Sequence, residues 1–366
     1  MPIQSKSVIA IFFVSILLVP TLAPSAEAGF FSDDEKTVKV AFIWQRWDIL
    51  DLPARIMMMM YKRILRQAEK EYDVNIQIFE FWDRWRGGDV QSGKLEKYDI
   101  DVVVGPGGVG GWNSPRAYRI ELKRFVRNGG GFYGICGDST FGSLGVINLP
   151  TGYKKPLKKA IGERSFTPML GLANVYTDAS AFDDILKYPF WFKRADMVKL
   201  VGQLPISRAP IKIQSADLPI QDPYSRSRVR VMMGNAPLVD GPFVLRLFMP
   251  KVHDIAVFRG SDNPYDDTIK GKKAIVATHY GRGRVVLSVP HPELTVGNSK
   301  AHDLFVRNLL WCSKSLPVRE SLKTLLKPWM IWFVSDYFEH EKLIWFLLTL
   351  QQTNESFAGN LQIPSP

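Results

Sequence analysis

The sequence predicts an α/β protein built on a mostly parallel sheet with helices on both faces. Three observations carry this. Between residues 38 and 135, short runs rich in β-branched and aromatic residues alternate with segments of helical period. Glycine-rich turns close two of the strands, at Gly105-Pro106-Gly107-Gly108 and at Gly134-Ile135-Cys136-Gly137. The resulting order of strand, helix, strand, strand, helix, strand is the grammar of a parallel sheet covered on both sides.

Val38 to Trp44 is an unbroken apolar run and reads as a buried strand. Asp51 and Pro53 mark a helix start, and Ile56, Met60, Ile64 and Ala68 recur at 3–4 spacing as far as about Tyr72. Met57 to Met60 occupy consecutive positions that point around the helix. They read as pliable core filling rather than a metal site. Val74 to Phe81 is the second strand and Asp101 to Val104 the third. Ser114-Pro115 opens a helix to about Asn128 with Leu122, Phe125 and Val126 facing inward. Gly129 to Gly131 ends it, and Phe132 to Ile135 is the strand that delivers Cys136. Residues 150–234 are proline-rich and less regular, and read as an elaboration of the same domain. Ala274 to Thr278 and Arg284 to Val289 form a hairpin through Tyr280-Gly281-Arg282-Gly283, and a last core helix spans about Lys300 to Cys312.

The two ends differ from this core. Lys6, the apolar run Val8 to Leu22 and the small-x-small pattern Ala26-Glu27-Ala28 predict a signal peptide over residues 1–28, with an uncleaved anchor as the alternative. The expected location is therefore outside the cytoplasm, periplasmic or extracellular, with membrane association open. Residues 29–315 form the predicted α/β domain and 316–366 a tail. In the tail, Trp329, Ile331, Trp332, Phe333 and Phe338 surround Asp336, Glu339, His340, Glu341 and Lys342. Those ionisable groups argue against a membrane span. They leave helical stretches docked on the core, or peripheral membrane or partner contact through 328–350.

The net charge is +11, and the tail holds four Lys/Arg against five Asp/Glu, so the basic excess lies in the domain. An anionic envelope component is one partner that fits, and a scattered basic surface is the plain alternative. No nucleic-acid module is recognisable, and export sets nucleic acid aside as a partner. Two cysteines do not make a disulfide framework. Cys312 sits on the apolar face of a helical pattern and reads as an inert core thiol, although a Cys136–Cys312 bridge stays open. No metal site and no cofactor are expected.

Chemistry concentrates at two places 155 residues apart, Cys136 and His291-Pro292-Glu293. A thiol becomes a good nucleophile as thiolate, which a helix N-terminus or an adjacent imidazole favours. Cys136 lies at a strand-to-helix turn, and His291 supplies the imidazole. With Pro292 keeping the segment extended, residues 291 and 293 project to one side, so Glu293 can hold the ring in one tautomer. The Gly137 amide and one from Gly107 or Gly108 are expected to stabilise an oxyanion, glycine permitting close approach of a substrate carbonyl.

Several runs together carry a family resemblance: Val103-Val104-Gly105-Pro106-Gly107-Gly108, Phe125 to Cys136, Tyr280 to Ser288, and His291-Pro292-Glu293. The chain resembles the class I glutamine amidotransferase-like superfamily, and within it the domain at the N-terminus of eukaryotic biotin–protein ligases and in stand-alone bacterial proteins. The resemblance covers about residues 38–145 and 235–312. It implies a flavodoxin-like sheet and a Cys136–His291–Glu293 triad. Two positions depart from the amidotransferase pattern: Asp138 replaces the glycine two after the cysteine, and Thr140 the glutamine four after it. Asp138 is expected to cap the next helix and to oppose thiolate formation, and both changes argue against glutamine as substrate. Gly281-Arg282-Gly283-Arg284 is similar to a biotin-binding loop, but no lysine-rich active-site segment accompanies it, so neither biotin binding nor ligation is predicted. The expected activity is that of a thiol hydrolase cleaving an amide bond in a small molecule or peptide-like substrate. The alternative is a non-catalytic binding or scaffold protein of the cell envelope using the same pocket.

Overall fold

The computed structural model describes residues 37–45, 54–108, 114–148, 157–161, 164–179, 217–221, 228–232, 237–240, 250–259 and 270–314. The expected signal peptide and the tail lie outside these. The first strand, β1 (Thr37–Gln45), is buried from Val40 to its end, the burial that an unbroken apolar run requires when both faces are covered. Helix α1 (Ala54–Tyr72) follows, then β2 (Asn75–Asp83), which continues two residues past the predicted end. A single turn, α2 (Lys94–Lys97), was not signalled by any period and leads to β3 (Val102–Gly105). Next come α3 (Arg116–Arg127), β4 (Gly131–Ile135) and the short α4 (Gly137–Gly142). Ser114 does not cap α3, whose N-cap is Pro115 with no side-chain bond. The hairpin strands are β13 (Lys273–Tyr280) and β14 (Gly283–Ser288), and the chain reaches Cys312 at the end of α5 (Ser299–Cys312).

Five strands run parallel in the order β2-β1-β3-β4-β14. This is the 2-1-3-4-5 order of flavodoxin-like sheets. Helices cover both faces of the block. On one side Tyr133 of β4 stacks on Phe305 of α5, ring centres 5.5 Å apart, and Phe305 meets Tyr61 of α1 at 5.7 Å. On the other, a Cβ on Gly283 would lie 2.1 Å from the Val126 carbonyl oxygen of α3, and one on Gly142 of α4 would lie 2.8 Å from the Phe132 ring. Met58 is buried in this core while Met59 is exposed, as successive helical positions demand.

Beyond β14 the sheet is mixed rather than mostly parallel. β13 runs antiparallel to β14, and the sheet continues through β11 (Leu238–Val239), β8 (Ala173–Asp178), β5 (Ser143–Ile147), β7 (Arg164–Pro168) and β6 (Leu157–Ile161). β9 (Asp217–Gln221), β10 (Arg228–Met232) and β12 (His253–Phe258) branch from it through β13. The segment read as irregular therefore contributes strands. They are short, and prolines such as Pro168 and Pro219 lie within them, which hides the period-2 signal.

Candidate active site

Cys136 lies at the end of β4, on the edge where ligands bind in open α/β sheets. Its backbone has φ 53° and ψ −120°, a left-handed conformation that a side chain adopts only under constraint. The constraint is visible. Its N–H donates to the Ser288 carbonyl of β14 at 2.8 Å, and its carbonyl accepts the Ser139 N–H at 3.0 Å and the Ser139 hydroxyl at 2.6 Å. Gly134 leaves room for the turn, since a Cβ there would sit 2.4 Å from the Asp138 carbonyl oxygen. The Gly137 amide is the first N–H of α4, a position without an intrahelical acceptor.

The strand β14 that anchors Cys136 also delivers His291. The His-Pro-Glu segment is a turn rather than the extended run expected: the Leu294 N–H donates to the His291 carbonyl at 3.2 Å, with Pro292 at the position whose fixed φ suits a turn. The two side chains still meet, His291 Nδ1 lying 2.7 Å from Glu293 Oε1. The imidazole also hydrogen-bonds Cys136, and Nδ1 being committed to Glu293 leaves Nε2 for the sulfur. Glu293 is fully buried, and His291 and Cys136 nearly so. Burial alone would lower the His291 pKa. The adjoining Cys136 sulfur and Glu293 carboxylate outweigh it and raise the pKa to about 10. The imidazolium is the favoured form of the ring.

Gly107 and Gly108 both have positive φ, 123° and 105°. A Cβ on Gly107 would come within 3.1 Å of Cys136 Cβ and 3.6 Å of His291 Cε1, so this loop lies directly against the cysteine and histidine. Of the two amides, Gly107 or Gly108, expected to offer an oxyanion donor, that of Gly107 is engaged within the protein. The Gly107 N–H donates to Asp138 Oδ2 at 3.1 Å, while Asp138 Oδ1 accepts from Gln45 Nε2 at 3.4 Å. Asp138 is buried inside α4 and does not cap it; its carboxylate reaches across to β1 and the loop after β3. Thr140 is fully buried, so the side chain at this position does not line an open pocket.

Three supports carried no signal in the sequence. Tyr61 of α1 donates its hydroxyl to Glu293 Oε1 at 3.1 Å. The Met232 carbonyl of β10 accepts the His291 N–H at 2.8 Å, and the Met232 N–H donates to Thr295 Oγ1 at 2.9 Å. The Thr295 hydroxyl in turn donates to the His291 carbonyl at 2.9 Å. Main-chain contacts like those of Met232 are blind to residue type. Neither cysteine is in a disulfide, so the Cys136–Cys312 bridge is not formed. Cys312 is fully buried with its Sγ 3.5 Å from the Phe132 carbonyl, and burial pushes its thiol pKa up. Among the described residues no group of His, Cys, Asp and Glu is arranged to hold a metal ion, and no helix is long and apolar enough to cross a membrane.

No protein-family model matches this chain, and no curated protein does. Among solved structures it is similar to a protein assigned as one component of a GMP synthase from Thermoplasma acidophilum, at 13% identity over 76% of this chain and 94% of that one, with a TM-score of 0.35. It is similar to a ThuA-like protein from Parabacteroides merdae at 11% identity over 78% and 93% of the two chains, TM-score 0.37. A β-galactosidase from Rahnella sp. R3 is similar at 12% identity over 76% of this chain, TM-score 0.39, and this chain spans 32% of its length. The chain's own topology and geometry define an α/β protein of flavodoxin-like strand order in its parallel block, with a constrained cysteine at a strand-to-helix turn.

Proposed function

We propose that this chain is an exported protein of the class I glutamine amidotransferase-like type, close to the biotin–protein ligase N-terminal-like branch, and that it acts as a thiol hydrolase on an amide bond. One observation carries the reading: a buried imidazole bonded on one side to Cys136 and on the other to Glu293. In the proposed reaction the Cys136 sulfur attacks the amide carbonyl carbon and a C–S bond forms. The Gly137 and Gly108 amides stabilise the oxyanion. His291 gives its proton to the leaving nitrogen as the C–N bond breaks, and an acyl-cysteine thioester remains. A water then loses its proton to His291 and attacks the thioester carbon. The carboxylic acid leaves, and sulfur and imidazolium return to their starting state. The groups named in these steps are side chains and main-chain amides of this chain. Glutamine is a poor candidate substrate because Thr140 stands where amidotransferases place a substrate-binding glutamine. Export, to periplasm or medium, is supported by the pattern of residues 1–28. The basic excess of residues 29–315 suits an anionic envelope component as partner, and the tail over 328–350 suits peripheral membrane contact.

A second reading, a non-catalytic binding or scaffold protein using the same pocket, is favoured by the Asp138 contact that occupies the Gly107 amide. Alkylation of Cys136 by iodoacetamide across pH separates the two. Fast labelling near neutral pH, lost in His291→Ala, is the result expected of the hydrolase. Slow labelling indifferent to the histidine overturns it.

A further inference from the structure

Glu293 uses its two carboxylate oxygens unequally. Among the described residues Oε1 takes both hydrogen bonds to the carboxylate, with His291 Nδ1 at 2.7 Å and from the Tyr61 hydroxyl at 3.1 Å. Oε2 is buried and has no hydrogen-bond partner among the described residues. A carboxylate bonded at one oxygen is free to turn about its terminal torsion unless something fixes that oxygen. The Tyr61 ring is itself immobilised. It is fully buried, 4.7 Å from the Phe42 ring of β1 and 5.7 Å from the Phe305 ring of α5. Burial, then the neighbouring carboxylate, hold its phenol well above the ordinary tyrosine pKa, so it stays a neutral donor.

We infer that Tyr61 is a positioning residue for the Cys136–His291–Glu293 site, fixing Glu293 Oε1 against the imidazole and so holding the histidine toward the cysteine. The inference rests on the proposed thiol chemistry and adds to it a fourth member, contributed by α1 and lying 232 residues from the carboxylate it orients. It acts through Glu293 and His291 and touches no reacting atom. A hydrogen bond to a charged group is strong enough for its loss to be read kinetically.

The test compares iodoacetamide alkylation of Cys136 from pH 5 to 10 in the full chain, its Tyr61→Phe variant and its His291→Ala variant. Tyr61→Phe keeps the packed ring and removes only the hydroxyl. It is expected to slow labelling at pH 7 about tenfold. The low-field His291 Nδ1 proton resonance should also be lost or shifted upfield. In a Glu293→Gln background the same substitution is expected to change little, because the oxygen it orients no longer carries charge. 3-Fluorotyrosine at position 61 retains ring and donor and should restore labelling to within twofold of the unsubstituted chain. If the unsubstituted chain labels quickly and depends on His291, but Tyr61→Phe matches it in rate and resonance, the positioning role is wrong and the hydrolase reading stands. If the unsubstituted chain labels slowly whatever residue 291 is, the hydrolase reading falls and takes this inference with it. If Tyr61→Phe does not fold, the fluorinated chain decides through its more acidic, stronger donor: a moved His291 Nδ1 resonance supports the role, and a resonance identical to that of the unsubstituted chain overturns it.

Discussion

The Asp138 carboxylate holds the Gly107 amide at 3.1 Å, tying the short helix after the cysteine to the glycine loop that lies over it. Removing the side chain altogether takes the acceptor from the buried Gly107 N–H and one acceptor from the Gln45 amide. Asp138→Ala is therefore expected to lose about 2–4 kcal/mol in denaturant melts, and Asp138→Asn, which keeps an acceptor, clearly less. Equal melts for the two variants would show that the retained acceptor does not matter.

The His291 pKa, raised to about 10, has two measurable consequences. Hydrolysis by the proposed route needs imidazolium to protonate the leaving nitrogen, so its rate should hold through neutral pH and fall toward pH 10. Stability follows the same group. The folded pKa exceeds the unfolded value of about 6.5, so the stabilisation is fully present below pH 6.5 and disappears as pH rises to about 10. Urea melts should show that decline in the unsubstituted chain and not in His291→Ala.

Asp83 is a second buried acid with the same sign and a lower window. Burial dominates and raises its pKa to about 6, although the Val90 and Gln91 amides both donate to it. Its contribution is fully present below about pH 3.8 and is lost as pH climbs through 6. Asp83→Asn should therefore abolish a decline of up to about 3 kcal/mol between pH 4 and 7. Parallel melting curves for both proteins over that range would refute this.

Gly134→Ala places a methyl group 2.4 Å from the Asp138 carbonyl oxygen, a backbone atom that yields only if the turn at Cys136 moves. A loss of about 1–3 kcal/mol is expected, with any His291-dependent labelling of Cys136 falling in step.

Cys312 provides the internal control. Fully buried and with its thiol pKa pushed up, it should stay unmodified under native conditions and label only in denaturant. Peptide mapping by mass spectrometry separates the two cysteines.

The parallel block was legible in the sequence because strands covered on both faces must be apolar throughout, as Val38 to Trp44 and Phe132 to Ile135 are. The hairpin was legible from Gly281 and Gly283, where close packing on α3 leaves no room for a side chain. Cys136, His291 and Glu293 stood out by residue type and by following strands, and they lie together. Other parts had no voice at that level. Tyr61 looks like any core aromatic on a helix, and its hydroxyl matters only through a residue far along the chain. Asp138 looked like a helix cap because a carboxylate in a first helical turn usually serves that end; tertiary contact with β1 and the β3 loop overrode it. β10 braces His291 through Met232 main-chain atoms, which any residue but proline could supply.

That brace has a consequence in time. The cysteine is synthesised 155 residues before the histidine, and the strand that steadies the histidine's backbone also comes first, at residue 232. Contacts this distant in sequence close late, after the loops between them have given up their freedom. Until β14 docks beside β4, Cys136 has neither the Ser288 carbonyl that helps hold its backbone nor the imidazole that bonds its sulfur. A nascent or partly folded chain thus carries an unpartnered thiol at position 136, and the bonded pair exists only once β14 has joined β4.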